Sequence, residues 1–114
     1  MPKVFIGVGH GGSDSGASSG GLIEKNLALV TALACKDMLV SHGIEVKMSR
    51  EKDENDTISQ EVQECNQYRP DLAVEIHYNA GGGDGLEIYR FRGGGDSLRV
   101  AQKIETRLVQ GGQN

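Results

Sequence analysis

The chain has 114 residues, 37% of them hydrophobic and 25% charged, with a formal net charge of −4. That balance describes one soluble globular domain over residues 1–114, too small for two separate cores. It gives no electrostatic footprint for nucleic acid, since no Lys/Arg cluster offsets the acidity. No apolar run approaches the roughly 20 residues of a membrane span. Met1-Pro2-Lys3 leads straight into a strand pattern, so synthesis in the cytoplasm without a secretory leader is expected. Cys35 and Cys65 stand alone and read as reduced thiols.

Residues 3–8 are apolar and β-branched, as a short buried strand is, and a Gly/Ser loop follows. Residues 22–41 predict a helix, with Ile23, Leu27, Val30, Ala34 and Met38 on one face and Gly43 as its left-handed stop. His42, in the last turn, reads as a solvated residue suited to the helix dipole. Residues 44–49 alternate as a half-buried strand does, and a polar loop covers 50–56. Thr57 and Gln60 resemble a capping box for a helix that carries Ile58, Val62 and Cys65 on one face and ends near Tyr68. Pro70-Asp71 turns the chain into a strand over 72–77, and residues 86–91 alternate as a fourth strand. Asp96 or Ser97 can cap a last helix bearing Leu98, Ala101, Ile104 and Leu108.

Strands alternating with helices predict an α/β fold: a mixed, mostly parallel sheet flanked by helices, with an antiparallel pair within 72–91. A last helix followed by Gly111-Gly112-Gln113-Asn114, where another strand is due, predicts a C-terminally incomplete domain. An exposed sheet edge would then favour a homodimer.

The chemistry concentrates at strand ends. His10 follows the first strand and His77 the strand over 72–77, while Glu24 opens the long helix. In α/β sheets ligands bind at the carboxyl ends of strands and beside helix N-termini. Each residue alone has a plainer explanation: a strand-end histidine is usually a loop-edge polar group, and acidic side chains suit any first helical turn. Together, two imidazoles and a carboxylate make a three-ligand zinc site with an open fourth position. Gly9, Gly11 and Gly12 leave space for close approach around His10. Asn79 lies two residues past His77 and is a candidate to bind substrate or a metal-bound oxygen. Glu75 shares a strand face with His77, and reads as a carboxylate orienting an imidazole or as the internal candidate for a general base. Glu87 could act similarly or be a strand-edge charge. Gly7-Val8-Gly9-His10-Gly11-Gly12 also matches the G-x-G-x-x-G dinucleotide pattern. There the helix should begin at the third glycine, whereas loop continues from Ser13 to Gly21, and Ser49-Arg50 stands in place of an acidic ribose ligand. Dinucleotide binding is therefore a remote alternative.

These residues carry a family resemblance over nearly the whole chain. Gly9-His10-Gly11-Gly12-Ser13-Asp14-Ser15-Gly16-Ala17, then Glu24-Lys25, resembles the opening of the zinc-dependent N-acetylmuramoyl-L-alanine amidases. Ser49-Arg50 with Asp53, Cys65-Asn66, Asp71-Leu72, Glu75-Ile76-His77-Tyr78-Asn79-Ala80 and Gly85-Leu86-Glu87-Ile88-Tyr89 continue it. Val8 and Glu75 depart from the family's usual residues at their positions. The resemblance implies a zinc exopeptidase-like fold, Zn2+ held by His10, Glu24 and His77, and a peptidoglycan substrate cut between N-acetylmuramic acid and L-alanine. It implies an endolysin or autolysin acting on the bacterial cell wall after lysis or release. The family's general-base glutamate lies on a strand beyond the last helix, leaving Glu75 as a weak substitute. The alternative expectation is a catalytically impaired zinc-binding fragment or a wall-binding module.

Overall fold

The structure is a computed structural model and describes residues 2–78 and 96–110. In chain order the elements are β1 (Lys3–Val8), β2 (Ser18–Ser19), β3 (Leu22–Ile23), α1 (Glu24–Ser41), β4 (Glu45–Met48), α2 (Ile58–Tyr68), β5 (Leu72–Ile76) and α3 (Asp96–Gln110). They fall in two units, Met1–Ala80 and Gly81–Asn114. Asn79, Glu87 and the strand expected over 86–91 lie outside the described residues. Of the second unit, α3 is described: it spans the expected last helix, with Ile104 and Leu108 38% and 40% exposed. Among the described residues no helix is long and apolar enough to cross a membrane.

β1 is the centre of a three-stranded parallel sheet in the order β4–β1–β5. Its register sets Ile6 beside Met48 on one side and Val74 on the other. A central strand is covered on both faces, which explains its unbroken apolar run and the burial of every residue from Val4 to Val8. β4 and β5 alternate because each has one well-covered face. Burying Ile6, which is 0% exposed, contributes roughly 1.5–3 kcal/mol.

From β1 the chain crosses to β4 on one side, then back over to β5 on the other. Crossovers of one hand running in opposite directions put their helices on opposite faces. Accordingly α1 packs on the face of Val4, Ile6 and Val8, while the Glu61 side chain of α2 lies over Gly7 on the other. The strand order reverses between β1 and β5, so the crevice beyond their carboxyl ends is the topological switch point.

Both amphipathic faces differ from the pattern read in the sequence. On α1 the inward stripe is Glu24, Ala28 and Ala32, continued by half-buried Cys35 and Leu39, while Val30 and Met38 are 68% and 62% exposed. The expected face (Ile23, Leu27, Val30, Ala34, Met38) is one residue out of register, a rotation of about 100°. The helix is apolar nearly all round, so periodicity barely separates adjacent faces. Alanines take the seat at the sheet because they allow the closest approach. The helix also begins at Glu24 instead of residue 22, because Leu22–Ile23 pairs antiparallel with Ser18–Ser19. On α2 the capping box forms as expected, with the Gln60 N–H donating to Thr57 Oγ1 at 3.1 Å and the Thr57 N–H to Gln60 Oε1 at 3.0 Å. Yet Ile58 and Val62 are 81% and 51% exposed, and Glu61 and Cys65 turn inward with Tyr68. Gly43 does stop α1, at φ 80°, and exposed His42 hydrogen-bonds locally to Met38 O. Both cysteines are free.

Candidate metal centre

Three backbone events at the switch point deliver three side chains. The β1–β5 ladder extends one step beyond β1 through Gly9 N–H to Ile76 O at 3.0 Å. The next residue, His10, takes φ 63°, a left-handed conformation uncommon outside glycine. His77 is the first residue past β5. Glu24 is the first residue of α1, pinned by its own N–H to Ala17 O at 2.8 Å and by Lys25 N–H to Ser15 O at 3.1 Å. The small β2–β3 hairpin therefore sets the height at which α1 starts.

The Glu24 carboxylate sits between the two imidazoles. Its Oε1 is 3.1 Å from His10 Nε2 and its Oε2 is 3.1 Å from His77 Nδ1. The rings stand edge to face, 5.5 Å between centroids and 87° between planes. One ligand-type atom from each of His10, Glu24 and His77 falls within 4.8 Å of the other two. Glu24 is 5% exposed. Burial pushes its carboxyl up, but the N–H groups of Ala17 and Tyr78, then His77 and His10, outweigh that and bring it below its usual range. Near neutral pH it is a buried anion facing two nitrogens.

Each imidazole has a carboxylate on its far nitrogen. Asp14 Oδ2 lies 2.9 Å from His10 Nδ1, and this hydrogen bond holds the Asp14 carboxyl low. Glu75 Oε1 lies 3.3 Å from His77 Nε2, on the side of the ring turned away from Glu24. Behind Glu75 stands Glu61, at the position where Gly7 has no side chain: a Cβ there would collide with Glu75 Oε2 and meet Glu61 Oε1 at 2.6 Å. Burial, then the facing Glu75, push Glu61 up to about 7, and burial raises Glu75 as well. Asp14 and Glu61 went unrecognised as partners of the site in the sequence. Gly7 was the available signal for Glu61, since a glycine inside a buried strand marks a close approach from above.

Glycines also clear the centre itself. A Cβ on Gly16, at φ 69°, would sit 2.5 Å from His10 Cδ2 and 2.7 Å from Glu24 Oε1. On Gly9 it would sit 2.7 Å from His77 Nδ1. The dinucleotide alternative fails on the same loop. The N–H groups that would cradle a pyrophosphate already donate to the chain, Gly12 to Asp53 Oδ1 at 2.7 Å and Ser13 to Asn55 Oδ1 at 2.9 Å. The first helix starts at Glu24, well beyond Gly12.

The donor set fits zinc. Ligands at ~2.0–2.1 Å around a tetrahedral ion lie roughly 3.3 Å apart; each imidazole nitrogen is 3.1 Å from its own oxygen of Glu24, and one atom from each of the three residues lies within 4.8 Å of the others. Nitrogen and carboxylate donors without a thiolate are the set of hydrolytic zinc sites. Other charged clusters do not reproduce this: His10, Glu24 and His77 form the metal-type grouping found among the described residues.

A family model described as N-acetylmuramoyl-L-alanine amidase matches residues 4–114. The chain is 45% identical over 95 residues to the N-acetylmuramoyl-L-alanine amidase CwlM of Bacillus licheniformis, covering 82% of this chain and 38% of the relative. It is 41% identical over 91 residues to the sporulation-specific N-acetylmuramoyl-L-alanine amidase of Bacillus subtilis, covering 78% and 36%. This chain thus matches well under half the length of those relatives. Among solved structures, the N-acetylmuramoyl-L-alanine amidase from Clostridium difficile 630 superposes with a TM-score of 0.83 at 29% identity, covering 96% of this chain and 63% of that one.

Proposed function

The chain belongs to the N-acetylmuramoyl-L-alanine amidase family, and from that premise we propose that it is a zinc-dependent peptidoglycan hydrolase cleaving the amide between N-acetylmuramic acid and the L-alanine of the stem peptide. The observation that carries this reading is the convergence of His10, Glu24 and His77 within 4.8 Å at the sheet's switch point. Those three residues would hold Zn2+. When bound, the ion supplies a Lewis acid that polarises a carbonyl and brings a water's pKa toward ~7.

The chain's own residues do the rest. Glu24, ionised and fixed by the Ala17 and Tyr78 N–H groups at 3.0 and 3.1 Å, contributes charge without having to reorganise. Asp14 holds His10 so that Nε2 faces the centre, and Glu75 does the same for Nδ1 of His77 from behind the ring. Outer carboxylates of this kind orient imidazole ligands and raise their basicity. Glu75 therefore serves as an orienting group; a general base must reach the water's proton, and Glu75 faces the far nitrogen of His77. Asn79, just beyond His77, is proposed to bind the muramyl peptide.

Emission spectroscopy of the chain after zinc loading and dialysis should find about one zinc per chain, lost in Glu24→Ala. Purified cell walls incubated with the zinc-loaded chain should release new L-alanine amino ends, and a chelator should stop the release. Stoichiometric zinc with no release would leave a wall-binding module; absence of zinc would defeat the reading.

A further inference from the structure

Arg50 is 2% exposed, the largest of the fully buried side chains, and the proposed chemistry has no use for it. Among the described residues its hydrogen bonds all end on backbone carbonyls. Nε donates to His10 O at 2.7 Å, Nη2 to Gly9 O at 3.1 Å and to Lys25 O at 2.9 Å, and Nη1 to Lys52 O at 3.0 Å. Those acceptors belong to the end of β1, the first turn of α1 and the loop after β4. Three lie on, or next to, proposed ligands: His10 itself, Gly9 before it and Lys25 after Glu24.

Burying a guanidinium is unfavourable unless its donors are satisfied, so the three segments are held to one arrangement around it. In that arrangement His10 adopts φ 63°, a left-handed conformation that is strained for a residue with a Cβ. A bond from a fixed cation to the His10 carbonyl offsets that strain.

The geometry points to Arg50 as a positioning residue of the metal centre: its guanidinium ties the His10 peptide to the first turn of α1, so that His10 and Glu24 stand at ion-binding separation before an ion arrives. This rests on the reading of His10, Glu24 and His77 as ligands. A lysine cannot substitute, because a point-like ammonium does not span carbonyls in three directions as a planar fork does.

The test compares the chain with Arg50→Lys and with Lys36→Gln, which removes only an exposed pair with Glu51. Each is titrated with Zn2+ and with Co2+ below its unfolding transition, and thermal unfolding without metal is recorded separately. Arg50→Lys should bind both ions about 10–100-fold more weakly, with a Co2+ absorption spectrum altered by the displaced ligand, and Lys36→Gln should match the parent. A role in folding alone would lower the unfolding temperature of Arg50→Lys and leave the affinity of the folded chain unchanged, which overturns the inference. Should Arg50→Lys not fold, NMR of the parent decides. Arg50 Nε–H protected from exchange before zinc is added, and unshifted after, supports pre-positioning; protection acquired only on loading overturns it. A parent chain that takes up neither ion defeats the metal reading, and this inference with it.

Discussion

Two carboxyls, Glu61 and Glu75, meet over Gly7, and their proximity has a pH signature. Glu61 is raised from its usual 4.5 to about 7, so its neutral form is the one the fold prefers. The stability linked to that neutral form is complete below ~4.3 and is lost as the pH climbs through about 7. Glu61→Gln mimics the neutral carboxyl. Urea unfolding should find it more stable than the parent at pH 8 by ~1 kcal/mol, a figure reduced for solvent screening, with the difference vanishing near pH 4. A parent whose stability rises from pH 4 to 8 relative to Glu61→Gln would contradict the pairing. Gly16 makes a steric prediction at the same scale. Gly16→Ala should cost about 1–2 kcal/mol from its left-handed backbone. It should also weaken zinc binding, because the new methyl collides with His10 and Glu24; a zinc titration beside denaturant unfolding separates the two effects. His10, Glu24 and His77 were legible because residue type and position, after strands for the histidines and at a helix start for Glu24, suffice to suggest them. Asp14, Glu61 and Arg50 were not legible as partners, since their roles depend on what they touch.

At the scale of elements, the caps followed local chemistry while the helix faces and the start of α1 did not. Thr57 and Gln60 form their capping box wherever the helix packs, because the bonds run within four residues. The face of α1 depends on the sheet below it. Ala28 and Ala32 are 0% exposed, whereas Met38 is 62% exposed. Ala32→Leu should therefore overpack the α1–sheet contact and cost about 1–3 kcal/mol. Met38→Ala should stay within ~0.5 kcal/mol, as measured by denaturant unfolding. The face expected from periodicity alone makes the opposite prediction for Met38. The hairpin Ser18–Ile23 was likewise hidden, because two-residue strands carry no period; its effect is to set where Glu24 enters.

At the scale of the whole chain, the proposed ion links the site to the fold. Its proposed ligands lie just past β1, at the start of α1 and just past β5, so an ion that binds only the folded chain stabilises it by RT ln(1 + [L]/Kd), about 2.7 kcal/mol at a hundredfold excess over Kd. Zinc should raise the unfolding temperature, a chelator should reverse the rise, and Glu24→Ala should abolish it. An unfolding temperature indifferent to zinc in the parent chain would count against the centre.

The alternation of strands and helices, the parallel sheet and the family were all present in the linear chain, because hydrophobic period, glycine placement and motif spacing are properties of neighbouring residues. Tertiary structure alone decided which face of each helix turns inward, which carboxylate backs which imidazole and where the Arg50 cation is held. Those outcomes depend on close packing between segments separated by tens of residues, such as Arg50 and Gly9 or Glu61 and Gly7. There small side chains and satisfied buried charges outweigh local preference.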